Sequence, residues 1–121
     1  MPRHCLTYNY MVADTGLSEA EVDRVFRALA DATRRDILRR TLAGGASVSQ
    51  LAVGYDMSFA AVQKHVAVLE GAGLVSKQRR GRERVVRGDP AALLRVSALL
   101  DLYEQIWRTR VGRLDSLLSE D

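Results

Sequence analysis

The chain of 121 residues is long enough for one domain with a real core and too short for two. Its hydrophobic content of 47% fits a folded chain, the net charge is a modest +3, and the one cysteine, Cys5, excludes an intrachain disulfide. No stretch of about 18 apolar residues is present, which argues against a membrane span. The opening residues 1–10 lack the apolar core of a signal peptide, so a cytoplasmic protein is expected.

Residues 1–17 show no clean period and end at Thr15-Gly16; they read as a flexible N-terminal arm. Ser18-Glu-Ala-Glu21 has the pattern of a capping box, and Val22, Val25, Phe26 and Leu29 follow at helical spacing. A first helix is predicted near 18–30. Asp31 can cap a second, with Ile37, Leu38 and Leu42 as its apolar stripe and Gly44-Gly45 as its end. Ser47-Val-Ser-Gln50 repeats the capping-box pattern and opens a short helix near 47–53. Gly54-Tyr-Asp-Met57 is a turn. Ser58 then caps a helix near 58–71, whose apolar positions Phe59, Val62, Val66 and Leu69 fall on one face. Gly71 and Gly73 offer left-handed C-terminal conformations.

The next stretch turns basic. Leu74-Val75 and Val85-Val86 flank Arg80-Gly81-Arg82 and read as a hairpin with a glycine turn. Between Ser76 and Arg87 stand six basic side chains and a single acid, Glu83; this stretch alone is +5, more than the whole chain. A charge so concentrated favours a polyanionic partner. Asp89-Pro90 starts a long helix to about residue 118, with Leu93, Val96, Leu100, Tyr103, Trp107, Leu114 and Leu117 near a heptad rhythm.

Two short helices joined by about four residues fit a helix–turn–helix, and the hairpin after them fits a wing. The fold class is therefore mainly α with a small β-hairpin wing, a winged helix–turn–helix over 18–121. The second helix of the pair would enter a major groove. Its outward face should carry Ala60, Gln63, Lys64 and Ala67. Alanines permit close approach, Gln63 suits the donor–acceptor edge of adenine, and Lys64 can donate to guanine or phosphate. Ser58 can bond a phosphate at the helix N-terminus. His65 lies between the apolar and outward faces, so phosphate contact and packing both stay open. It has no second metal ligand one helical turn away. Arg79, Arg80, Arg82 and Arg84 could straddle phosphates or probe a narrow minor groove; the alternative is a charged edge that blocks sheet aggregation.

Phe26-Arg-Ala-Leu-Ala-Asp-Ala-Thr-Arg-Arg-Asp-Ile-Leu38, Ser49-Gln-Leu-Ala52, and Ser58 to His65 with Leu69-Glu-Gly-Ala-Gly-Leu-Val75 together resemble the ArsR/SmtB family of bacterial winged-helix repressors, over roughly 22–118. The resemblance implies a homodimer on a pseudo-palindromic operator in double-stranded DNA, usually repressing its own transcription unit. The family's metal sensors carry Cys-x-Cys on the first of the paired helices, where this chain has Ser47 and Ser49. Their other site uses Asp and His on the last helix, which here has Asp101 and Glu104 and no histidine. Serine hydroxyls are poor ligands for soft metals, so neither metal site nor any cofactor is expected. Trp107 to Leu117 resembles the ending of a metal-free subgroup. A long apolar stripe on a small body is expected to pack against a two-fold mate and the first helix, through Val22, Phe26, Leu93, Val96, Leu100, Tyr103, Trp107 and Leu114. The effector stays unknown.

Two other readings remain at this point. Cys5, beside Arg3 and His4, could give a redox-responsive regulator. The winged fold could instead dock an acidic protein partner. No phosphate-binding glycine loop, paired carboxylates or nucleophile–base set supports an enzyme.

Overall fold

The computed structural model describes residues 15–119. The expected arm, apart from its last three residues, lies outside them, as does Cys5. In chain order the elements are α1 (Glu19–Leu29), α2 (Ala32–Ala43), β1 (Ala46–Ser47), α3 (Val48–Val53), α4 (Phe59–Gly71), β2 (Val75–Arg80), β3 (Glu83–Gly88) and α5 (Pro90–Leu118). They divide into two units, Ser18–Leu93 and a second holding residues 15–17 and 94–119 of the described chain.

In the first unit each helix starts where a side chain satisfies its free N–H groups. Ser18 Oγ accepts from Glu21 N–H while Glu21 Oε1 accepts from Ser18 N–H. Ser47 and Gln50 repeat this exchange at 3.1 and 2.8 Å. Asp31 caps α2 through Arg34 N–H and Ser58 caps α4 through Ala61 N–H. Each cap stabilises its helix by about 1 kcal/mol. Helix α4 ends at Gly71 with Ala72 as its C-cap, and Gly73, at φ +76°, reverses the chain toward Leu74.

The core of this unit lies among the four helices and the base of the sheet. Ile37, Leu51, Val62, Val66, Leu69, Leu74 and Val86 are fully buried, each worth about 2 kcal/mol. Two predicted apolar positions differ. Phe59 is 47% exposed and Leu42 38% exposed, whereas Thr41 is buried. The Thr41 hydroxyl donates to Ile37 O and Leu38 O, so burial leaves it satisfied.

The sheet has three antiparallel strands in the order β1-β3-β2. Strand β1 is too short to leave a pattern in the sequence; it pairs Ala46 with Val86 and Ser47 with Val85. The hairpin is longer than its two aliphatic pairs suggested and runs from Val75 opposite Gly88 to Arg80 opposite Glu83. Its turn is Gly81-Arg82. Gly81 has φ +63° and Arg82 a negative φ, the pattern of a type II′ turn, which matches strand twist and favours glycine first.

In the second unit, α5 continues as one helix from Leu94 to Leu118. Val96 and Leu99 are buried, and beyond them the apolar stripe is open: Leu100, Tyr103, Ile106, Trp107, Leu114 and Leu117 are all exposed. Among the described residues no helix is long and apolar enough to cross a membrane.

Candidate nucleic-acid interface

Helix α4 turns Val62, Val66 and Leu69 into the core, which leaves Ala60, Gln63, Lys64 and Ala67 exposed on the opposite side. Ser58 is exposed at its N-terminus. The wing stands next to this helix. One cavity of about 280 Å³ is lined by Gln63 and Phe59 of α4, Ser47, Val48 and Ser49 at the start of α3, and Lys77, Arg82, Glu83 and Arg84 of the hairpin. Gln63 and the wing cations therefore open onto a shared space. Lys77 and Ser49 were absent from the sequence-derived candidates. Lys77 sits two residues from Arg79 on the same strand face, a signal that period-two reading of the basic run contains.

The hairpin is apolar at its base and cationic at its tip. On one face Val75, Lys77 and Arg79 run along β2, opposite Gly88, Val86 and Arg84 of β3. Arg79 and Arg84 are thus direct cross-strand partners with like charge, an arrangement that costs stability within the hairpin. Arg80 faces Glu83. Arg79, Arg80, Arg82 and Arg84 are all exposed. A polyanion laid along the tip would relieve the repulsion between Arg79 and Arg84.

Three side-chain groups tie α3 and the turn before α4 to α2. Tyr55 Oη donates to Asp36 Oδ2 of α2 at 2.5 Å. Arg40 packs over the Tyr55 ring at 5.2 Å and donates to Leu51 O at 3.4 Å. The Tyr55 hydroxyl, then Arg39, hold the Asp36 carboxyl below its ordinary value. Burial, then the same hydrogen bond, raises the Tyr55 phenol.

His65 is the exception among the predicted contacts, being half-buried on the flank of α4. Its Nδ1 lies 3.4 Å from an Arg34 guanidinium nitrogen and 3.8 Å from Asp31 Oδ2. The Arg34 backbone N–H holds the Asp31 carboxyl low, against burial, with the Arg34 charge adding to the effect.

The residues at the metal-sensor positions do not fit soft-metal chemistry. Ser47 is 5% exposed and its hydroxyl serves as the cap of α3. Glu104 on α5 pairs with Arg108. Among the described residues, no three His, Cys, Asp or Glu side chains cluster in a way that could hold a metal ion.

The dimer-interface candidates divide by exposure. Val22 and Val96 are buried within the chain itself, and Leu93 is half-buried. Phe26, Leu100, Tyr103, Trp107 and Leu114 remain exposed.

Comparison with known proteins agrees with this architecture. A family model described as a helix-turn-helix domain matches residues 29–78. HTH-type transcriptional regulator Rv2034 of Mycobacterium tuberculosis is 40% identical over 81 residues, spanning 67% of this chain and 76% of that protein. An ArsR-like transcriptional regulator from Rhodococcus sp. RHA1 superposes with a TM-score of 0.76 at 31% identity, covering 84% of this chain and 94% of the other. The homodimeric winged helix-turn-helix DNA-binding domain of Mb0332 from Mycobacterium bovis, described as a possible ArsR-family regulator, has a TM-score of 0.57 at 28% identity over 70% of this chain and 81% of that one.

The fold and its relatives define a DNA-binding transcriptional regulator of the winged helix–turn–helix class. Within that class the chain belongs to the ArsR family.

Proposed function

We propose that the protein is a homodimeric repressor that reads a pseudo-palindromic operator without a metal at either family site. The observation that carries this reading is the shared space between Gln63 of α4 and the cations of the wing. It supports one continuous face that enters the major groove with Ala60, Gln63, Lys64 and Ala67 while Arg79, Arg80, Arg82 and Arg84 follow the backbone. Ser58 and His65 flank that face. The open apolar stripe of α5, with Leu100, Tyr103, Trp107 and Leu114, supports pairing with a second copy, and the homodimeric relative agrees with it. Exposed Phe26 on α1 is a further apolar candidate. The capped, buried Ser47 supports operation without the thiolate site. Repression, and a cytoplasmic place of action, follow the family habit.

The test is fluorescence anisotropy with duplex DNA from directly upstream of the gene against a scrambled duplex, at two salt concentrations. The reading expects a preference of about a thousandfold or more for the upstream duplex. Equal, salt-sensitive affinity for both would reject an operator at that site. Absence of binding to either would reject the assigned face and favour docking to an acidic protein.

A further inference from the structure

The recognition helix α4 is tied to the rest of its unit at one polar point that the sequence did not reveal. Arg34, near the start of α2, spreads its guanidinium over three partners. Nε donates to Ala28 O at 2.7 Å, and one terminal nitrogen donates to Arg27 O at 2.9 Å. Both carbonyls lie in the last turn of α1, where Arg27 O also accepts from the Ala30 N–H at 3.3 Å. The other terminal nitrogen lies 3.4 Å from His65 Nδ1. A guanidinium has only donors, so this contact requires an unprotonated Nδ1 with its lone pair facing Arg34. The one ring proton of the neutral imidazole then belongs on Nε2.

Asp31 pulls the other way. Its Oδ2 stands 3.8 Å from the same Nδ1, beyond hydrogen-bonding distance, and accepts instead from Arg34 N–H at 3.0 Å. A protonated Nδ1 would face Arg34 as a like charge and would turn to Asp31. The Arg34 fork therefore selects between two arrangements of the ring, and the geometry matches the one with a bare Nδ1.

We infer that Arg34 is a positioning residue for DNA recognition: it fixes His65 as the neutral Nε2–H tautomer, anchors that flank of α4 to the end of α1, and leaves Nε2–H as the ring's donor toward a DNA phosphate. The inference rests on α4 being the recognition element, as proposed above. The ring keeps part of its surface open, with 23% of the side chain exposed. Arg34 itself is not placed on DNA; its guanidinium is occupied by three partners and acts through His65. The role needs a fork that serves three acceptors in one plane, which an ammonium group cannot reproduce.

The test couples a spectroscopic signature to binding. Long-range ¹H–¹⁵N correlation of the imidazole nitrogens reports the tautomer directly, and the chain has only one other histidine, His4, whose signals are removed by His4→Gln. In the wild-type protein the imidazole of His65 is expected as the Nε2–H tautomer. Arg34→Lys should convert it to a mixture of tautomers. Arg34→Lys should also lose about tenfold in affinity for the upstream duplex, the size of one hydrogen bond, with a smaller loss on the scrambled duplex. His65→Asn places an amide oxygen near the Nδ1 position and has no group at Nε2. It should keep the fold, read by circular dichroism, while losing affinity for both duplexes.

An Nδ1–H tautomer in the wild type, or a His65 spectrum unchanged by Arg34→Lys, would overturn the assignment. So would equal losses on the two duplexes in Arg34→Lys with an intact fold. If the wild-type protein fails to distinguish the duplexes but shows the expected tautomer, the operator reading fails and the Arg34–His65 pairing stands.

Discussion

Replacing Arg80 and Arg82 with alanine isolates the electrostatic share of the proposed DNA contact. Both side chains are exposed at the hairpin tip, and Gly81 remains to carry the positive φ that the turn requires, so the fold should persist. Each phosphate contact contributes about 0.9 to the slope of log affinity against log salt. A homodimer presents two wings and so would lose four guanidinium groups. If all four lie on phosphates, the slope should flatten by about 3.6; if one per protomer does, by about 1.8. Taking about 1 M salt as the point where this contribution vanishes, the larger figure is about a thousandfold loss near 0.15 M, on any duplex. Anisotropy titrations at four or five salt concentrations, on the upstream and scrambled duplexes, measure it. An unaltered slope in a folded variant would refute the wing–phosphate assignment. A loss confined to the upstream duplex would instead make these arginines readers of the groove.

Five further expectations concern other parts of the molecule. Replacing Gln63 and Lys64 together by alanine should cost about tenfold or more in discrimination between the duplexes, since a good base contact is worth about 1–3 kcal/mol; unchanged discrimination would remove both as readers. Tyr55→Phe should cost about 1 kcal/mol at neutral pH by removing the hydrogen bond to Asp36. Because that bond is the main cause of the depressed Asp36 pKa, its stabilisation is present above the unfolded carboxylate value of about 3.9 and fades as pH falls through the folded one. The gap between wild type and Tyr55→Phe in urea unfolding should therefore narrow below about pH 4; a constant gap would reject the assignment. Gly88→Ala should destabilise by about 1–3 kcal/mol, since its Cβ would meet Leu42 Cγ at 2.7 Å and Leu42 N at 3.1 Å. Gly71→Ala, on α4 with nothing within 4 Å of the added Cβ, should raise the melting temperature instead. Trp107→Glu on the exposed stripe of α5 should shift sedimentation equilibrium toward monomer, and an unchanged mass would place the dimer contact elsewhere.

Helix starts were the most legible part of this chain. Ser18, Asp31, Ser47 and Ser58 each cap where the pattern placed them, because capping is decided within four residues. The outward set on α4 was legible for a similar reason: helical period alone separates Gln63 and Lys64 from Val62 and Val66. The extent of the wing was less so. Arginine pairs carry no strand period, and pairing with β1 and out to Gly88 is settled by register rather than local preference. The spacing of Phe59 points to the core, but it stands exposed in the first turn of α4, where it lines the cavity beside the wing. The contacts that orient α4 were not legible. Arg34 and His65 are 31 residues apart, and Tyr55 and Asp36 are 19 apart. Nothing in composition or period marks such pairs.

Those illegible contacts explain how so small a unit can hold α4, the proposed reading helix, steady. The buried face of α4 is three aliphatic side chains, Val62, Val66 and Leu69. Such packing fixes which side faces the core, but aliphatic surfaces are non-directional and tolerate small rotations and slides. Reading base edges requires placement within fractions of an ångström. Hydrogen bonds supply that direction: Tyr55 to Asp36 in the preceding turn, and Arg34 to His65 on the flank. The aliphatic face therefore accounts for most of the stability of α4 and the polar contacts for its orientation. Loss of a polar contact is expected to lower discrimination between duplexes more, for each kcal/mol of stability lost, than Val66→Ala does; Val66→Ala should cost about 2 kcal/mol or more of stability while the folded fraction keeps its preference. Measuring both quantities on Tyr55→Phe, Arg34→Lys and Val66→Ala separates the two contributions. A common proportionality between stability and discrimination across the three variants would refute this division.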